Sequence, residues 1–335
     1  MQDKKIQEYL FQRIKEILPP GRSLVDTIAE VLCVSQDSAY RRIRGETLLV
    51  LEEARILCQQ FNISLDQLLE LSGNSTVFRN TQFDSHTPDF KTFLAGVLHQ
   101  INHLHTFQEK SIIYVCRDIP LFHQLCSRAV FAFNYFLWMR NVFQHPDFVQ
   151  QKFSFQHLTP DIEALGDELL SAYCKIPSVE IWNLESINGI LQQLHYSVQA
   201  GIMSREDMEE VCAGLYQTLA HLQEQASYGR KFLPGENPRS KKENFQFFYN
   251  RMGLGSNSIM TLYDGKKTVY LNYEALSYID TSDETFCDKM HEQLLTNMRR
   301  STLISKVSEK QRNMFFNLLF AKLPRYEMNK EKMAS

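Results

Sequence analysis

The sequence predicts a predominantly α-helical protein in two parts. A first domain of four to five short helices is followed by a larger α+β domain, mainly helical with a small antiparallel sheet. Three observations carry this expectation. Apolar residues recur at helical spacing through much of the chain. A polar stretch, SGNSTVFRNTQFDSHTP, interrupts them after Leu71. Strand-like runs come late, in FQFFYNRM, SIMTLYD and KTVYLNY, and Asp264-Gly265 between the last two is a hairpin dipeptide. The expected boundaries are 1–72 for the first domain, 73–89 for a linker and 90–335 for the larger region. An inner boundary is expected near 233–245, where LPGENPRSKKEN is rich in Pro, Gly and charge.

The first domain can be taken element by element. Ile6, Leu10, Ile14, Ile17 and Leu18 keep one register from about Asp3, and Pro19-Pro20 end that helix. This stretch lacks the apolar core and cleavage site of a secretory signal. Leu24, Ile28, Val31 and Leu32 mark a second, short helix. Cys33 and Val34 break its pattern. Ser35 is then a favoured N-cap for a helix from about Gln36 to Arg44, and Gly45 suits the position just past its end. The next helix starts near Leu51, with Ala54, Leu57, Cys58 and Phe61 on the same face, and a turn from Ser64 to Leu69 closes the unit.

Two short helices joined by a tight turn, the second rich in donors, describe a helix-turn-helix. At about 100° per residue, Ala39 and Ile43 share a face of the second helix and should go inward. The opposite face holds Asp37, Arg41 and Arg44, with Ser38 at its edge and Gln36 in the first turn. Arginine forks suit guanine edges, and glutamine suits adenine. The expected DNA-binding residues are Ser35, Gln36, Asp37, Ser38, Tyr40, Arg41, Arg42 and Arg44. Gln36, Asp37, Ser38, Arg41 and Arg44 would meet base edges, and Tyr40 and Arg42 would flank the groove. The Ser35 hydroxyl or the helix start would touch a phosphate.

This stretch resembles the lambda-repressor-like, XRE-type helix-turn-helix, and QDSAYRRIRGE is most similar to the BetR-type variant. LEEARILCQQFNISLDQLL is similar to the family's third and fourth helices. The resemblance covers roughly residues 1–72. It implies a small bundle that lays its second short helix in the major groove. Two residues depart from the family pattern. Cys33 stands at the turn position where the family often has glycine, and Arg42 stands where many members keep an aliphatic residue.

Charge bounds the partners. Residues 1–72 hold nine Lys and Arg against eleven Asp and Glu, so only the cluster Arg41, Arg42 and Arg44 is basic. A net charge of −3 for the chain argues against a general nucleic-acid coat or a polybasic membrane binder. No apolar run reaches bilayer length, so no membrane partner is expected. The longest, AVFAFNYFLWM at Ala129–Met139, is interrupted by Asn134 and reads as a buried helix. Seven cysteines without a C-x-x-C pair indicate reduced thiols in a cytoplasmic protein, not a disulfide frame or zinc knuckle.

In the larger region, helices are expected at about 90–105, 121–142, 160–173, 185–200, 204–228, 283–300 and 309–323, and SIIYVCRDIP reads as a buried strand. His99 and His103 lie one turn apart, a metal-capable spacing. No Glu sits at the zinc-protease position, however, and His105 leaves their face. Asp161, Glu163, Asp167 and Glu168 offer paired carboxylates, but a helix start favours acids in any case. MGLGSNS lacks the Lys-Ser of a phosphate loop, and no G-x-S-x-G elbow occurs. No catalytic residue, metal or cofactor is therefore expected. The aromatic groups Phe131, Phe133, Tyr135, Phe136, Trp138 and Phe245, Phe247, Phe248, Tyr249 fit a core first and an apolar ligand pocket second.

The expected function is a sequence-specific DNA-binding transcriptional regulator of the one-component bacterial kind, not an enzyme. Its partners would be double-stranded DNA, a second copy of the chain, and a small-molecule or protein effector on the larger region. Two heads about 34 Å apart would fit adjacent major grooves. The alternative is a protein-interaction scaffold whose helix-turn-helix module does not bind DNA. An enzyme in the larger region is a further rival.

Overall fold

The computed structural model describes residues 2–19, 21–61, 63–65, 76–80, 90–238, 242–274 and 276–323. They fall into two units, Met1–Phe78 and Arg79–Ser335. In the first, the described helices are α1 (Gln2–Ile17), α2 (Leu24–Leu32), α3 (Gln36–Ile43) and α4 (Leu51–Gln60). Each contributes one apolar stripe to a shared core: Leu10, Phe11 and Ile14, then Ile28, then Ala39, then Leu57 and Cys58. Gln7 closes this unit in a way its polarity conceals. Its buried amide nitrogen donates to the carbonyls of Arg42 (2.6 Å) and Thr47 (2.9 Å), and its oxygen accepts from Leu49 N–H (2.9 Å). One side chain thus satisfies three backbone groups, one in the last turn of α3 and two in the segment that follows it. Of the turn expected at Ser64–Leu69, the part from 66 onward lies outside the described residues, as does most of the expected linker.

The second unit overturns the expectation of a mainly helical domain with a small antiparallel sheet. Its strands are β1 (Arg79–Asn80), β2 (Lys110–Cys116), β3 (Ser178–Trp182), β4 (Phe245–Tyr249), β5 (Ser258–Tyr263), β6 (Lys266–Asn272), β7 (Tyr278–Thr281) and β8 (Thr302–Leu303). They form one mixed sheet of eight strands, in the order β1-β7-β6-β5-β2-β3-β4-β8. Strands β2, β3 and β4 run parallel, with Ile112 opposite Ser178 and Ser178 opposite Phe245. All other pairings are antiparallel. Helices hold 56% of the residues and strands 13%, and the fold is α/β rather than predominantly α. The reason lies in strand chemistry. β2 is an unbroken apolar run from Ile112 to Cys116, buried on both faces as parallel strands are. β3, SVEIW, carries a charge at its centre and has no strand signature of its own.

Nine α-helices of this unit are described: α5 (Phe90–His105), α6 (Leu121–Gln124), α7 (Arg128–Leu137), α8 (Pro146–Val149), α9 (Pro160–Cys174), α10 (Asn188–Gln199), α11 (Arg205–Tyr228), α12 (Glu284–Arg299) and α13 (Glu309–Lys322), with a short 3-10 turn at Phe155–His157. Alternation along the strands divides them into two layers. Ile112, Tyr114, Cys116, Trp182, Phe245, Phe247 and Tyr249 enter the large core shared with α5, α7, α9, α11 and α13. Ile113, Val115, Ile181, Phe248, Met260 and Val269 face the other side, where Cys287 and Leu294 of α12 cover them. The two aromatic groups are split accordingly and pack as core; Phe90, for example, stacks on Trp138 at 4.9 Å.

Four local outcomes bear on the expectations. The single helix expected at 121–142 is interrupted between α6 and α7 and ends in a π-helical turn, Trp138–Val142. The start of α7 is closely packed. A Cβ on Gly214 of α11 would overlap Ser127 Oγ and stand 3.2 Å from Ala129 Cβ, and one on Gly166 of α9 would stand 2.7 Å from the Phe131 ring. The Asp264-Gly265 hairpin is present, with φ of 42° and 78° as a type I′ turn requires. Residues 79–80, placed in the expected linker, instead pair with β7, and Arg79 reaches Asp280 at 2.6 Å. The unit is not divided near 233–245: Phe232 and Phe245 are buried, while 239–241 lie outside the described residues. Among the described residues no helix is long and apolar enough to cross a membrane.

Candidate nucleic-acid interface

The α2–turn–α3 unit is built from capping chemistry. Ser23 and Ser35 cap the two helices, each Oγ accepting an amide three residues on, from Asp26 and Ser38, both at 3.3 Å. Between them α2 ends in a Schellman arrangement. Val34 N–H donates to Ala29 O (3.0 Å) and Cys33 N–H to Glu30 O (3.3 Å), with Cys33 left-handed at φ 53°. The turn that glycine would favour is therefore made by cysteine. A non-glycine residue pays about 1–2 kcal/mol in this region, part of which glycine returns as chain entropy. Cys33→Gly is expected to stabilise the first unit by about 1 kcal/mol, read as a higher midpoint in urea unfolding followed by circular dichroism. A lower midpoint would mean that Cys33 is held by something other than this turn. α3 ends in the same way on Gly45 (φ 69°), with Glu46 N–H on Arg41 O at 2.9 Å.

Inward, α3 presents Ala39, fully buried, and Ile43, partly buried. Outward, Asp37 and Arg41 lie one turn apart, 3.3 Å from each other, with side chains 75% and 58% exposed. The Arg44 side chain is 59% exposed, 3.7 Å from Glu46 and 5.5 Å above the exposed Tyr40 ring. Gln36 is exposed and donates to Asp26 Oδ1 (2.7 Å), which fixes where its amide points. Ser35 is spent on the cap. Arg42, expected to flank the groove, is turned inward. Its guanidinium forks onto Glu53 of α4 (3.1 and 2.7 Å) and also binds Ser38 Oγ (2.6 Å), leaving only 15% of the side chain exposed. Glu53 in turn accepts Val50 N–H at 3.3 Å, so this pair ties α3 to the start of α4.

The clustered histidines and acids of the second unit stay on their helices, α5 and α9, and several of them engage ordinary protein partners. His103 packs edge-on against Phe107, while His105 Nε2 meets Ala172 O at 3.0 Å. Asp161 bonds Lys91 (2.6 Å) and Thr159, which hold its carboxyl down at about 2. Glu163 pairs with Arg128. One group went unforeseen. Glu180, at the centre of β3 and fully buried, accepts from His123 Nε2 (2.8 and 2.9 Å), Tyr173 OH (2.6 Å) and Trp182 Nε1 (2.8 Å). Burial pushes its carboxyl up, but the attraction of His123 and the bonds from His123 and Tyr173 keep it below the ordinary value. The sequence signal was there: a lone acid inside the apolar run VEIW.

No family model matches this chain, and no curated protein or solved structure matches it either.

Proposed function

We propose that this chain is a sequence-specific DNA-binding transcriptional regulator. Its first unit reads double-stranded DNA through α3, and its second unit supplies the dimer contacts and an effector site. The observation that supports this reading is the free outer face of α3. Arg41 and Arg44 are each more than half exposed, on the side opposite buried Ala39. Their own acids, Asp37 and Glu46, are exposed partners of the kind worth at most about 1 kcal/mol, so a phosphate or guanine edge displaces them readily. The reading set narrows to Gln36, Asp37, Tyr40, Arg41 and Arg44, with Arg42 and Ser38 supporting the helix from behind.

The test begins by selecting a bound site from a randomised duplex library with the full chain. Arg41→Ala is expected to weaken binding to that site by about 1–3 kcal/mol, with the circular dichroism spectrum unchanged. Affinity for it should also fall steeply as salt rises, because phosphate neutralisation releases counterions. Two half-sites one duplex turn apart in the selected sequence would reflect the dimer. Failure to select any site, or binding indifferent to salt and to Arg41, would favour the protein-scaffold reading.

A further inference from the structure

The end of α11 concentrates an unusual burden. Gly229, at φ 61°, turns the chain back, and the following residues are stitched across the helix end. Lys231 N–H donates to Asn244 Oδ1 (2.9 Å), and Phe232 O accepts from Gln225 Nε2 (2.8 Å) and lies 2.8 Å from His221 Nε2. This places the Lys231 side chain in the core, 1% exposed. Its Nζ sits 3.4 Å over the Tyr173 ring and has no hydrogen-bond acceptor. Gln225 Oε1 and Arg230 Nε, in the same short stretch, are also buried without a partner. Lys231 stands over Tyr173 of α9 and close enough to Glu180 of β3 and Cys174 of α9 to interact with both, while His123 of α6 holds the same Glu180 carboxylate and His221 of α11 meets Phe232 O. Glu236 lies further along the segment, bonded to Leu233 N–H at 3.1 Å.

The pocket therefore has one carboxylate and two bases able to neutralise it. His123 holds both oxygens of Glu180 directly, whereas Lys231 has only a ring face. A charged Lys231 Nζ, buried and without an acceptor, is costly in a dry interior. His123 is pinned by its two contacts. Lys231 stands just past Gly229, and its side chain, unlike that of His123, is held by no hydrogen bond. We propose that residues 230–238 form a latch that stays seated while Lys231 is uncharged and is released when Lys231 takes up a proton, opening the pocket over Tyr173 and Glu180.

The sign follows from linkage. Burial pulls the Lys231 ammonium down to about 7, against the opposing pull of Cys174 and Glu180. In solvent a lysine keeps its proton to about 10.4. Between these values the seated form binds one proton fewer than the released form. Seating therefore tightens as pH rises through this window, by up to about tenfold per pH unit, and the full penalty is in place below about 7.

Hydrogen–deuterium exchange on the full chain, corrected for intrinsic rates, reads this directly. Protection of the amides from 231 to 237 is expected to fall as pH drops from 9 to 6.5. In Lys231→Met, which keeps the apolar stem without the charge, protection should be high and flat. Flat protection in the native chain, or the same slope in Lys231→Met, would overturn the latch. His123→Gln provides a second arm. It keeps one N–H donor in place of the ring that meets both Glu180 oxygens, which leaves the carboxylate freer to attract Lys231, and protection at pH 7 should rise above the native level. A profile identical to the native one would also overturn the proposal.

Discussion

Replacing Glu180 by alanine is expected to cost the second unit about 5 kcal/mol or more and to leave it close to unfolding. The carboxylate is the common acceptor for His123, Tyr173 and Trp182, all buried. Each donor stranded in the interior costs about 1–3 kcal/mol, and the missing side-chain volume adds a cavity term. The relief from no longer burying a charge offsets part of this. Set against a total stability of about 5–15 kcal/mol for a typical domain, the change is decisive. Glu180→Gln keeps one acceptor oxygen and should lose less than half as much. Both tryptophans, Trp138 and Trp182, lie in this unit, so urea unfolding followed by tryptophan fluorescence reports on it alone. An alanine variant within about 1 kcal/mol of the native protein would show that the three donors do not depend on Glu180.

Gly214→Val should destabilise the second unit by about 3 kcal/mol, with Gly214→Ala intermediate. Two effects compete in mid-helix. Removing glycine from a helix gains about 1 kcal/mol. Here the new Cβ would overlap Ser127 Oγ and press on Ala129 Cβ at 3.2 Å. Ser127 can rotate, but Ala129 cannot, so α7 and α11 must part. Overpacking of this kind costs about 1–3 kcal/mol and occasionally more, and the branched side chain adds atoms with nowhere to go. The same fluorescence titration measures both variants. A stabilised Gly214→Ala would mean that helix propensity outweighs the contact and that the two helices are not closely fitted there.

The first unit was legible because its signals are local. Ser35, Gly45 and the spacing of Leu24, Ile28 and Val31 each act within a turn or two, and α2 and α3 lie where those residues place them. The inward turn of Arg42 was not legible, because its partner Glu53 lies eleven residues on, in another helix. In the second unit the hairpin at Asp264-Gly265 was equally local. The parallel strands were not. β2 and β3 meet across the helices and loops of 117–177, and nothing in a local window records that pairing. β3 was hidden by Glu180, whose charge argues for solvent until its three donors are known. The strand was obscured by the residue around which its polar contacts are arranged.

The outermost strands of the sheet, β1 and β8, are only two residues long. A row of free amides and carbonyls long enough to accept another chain is therefore lacking on either flank among the described residues, and such short borders resist runaway strand addition. If two copies of this unit join, the contact falls to its helical surfaces, where side chains rather than backbone choose the partner.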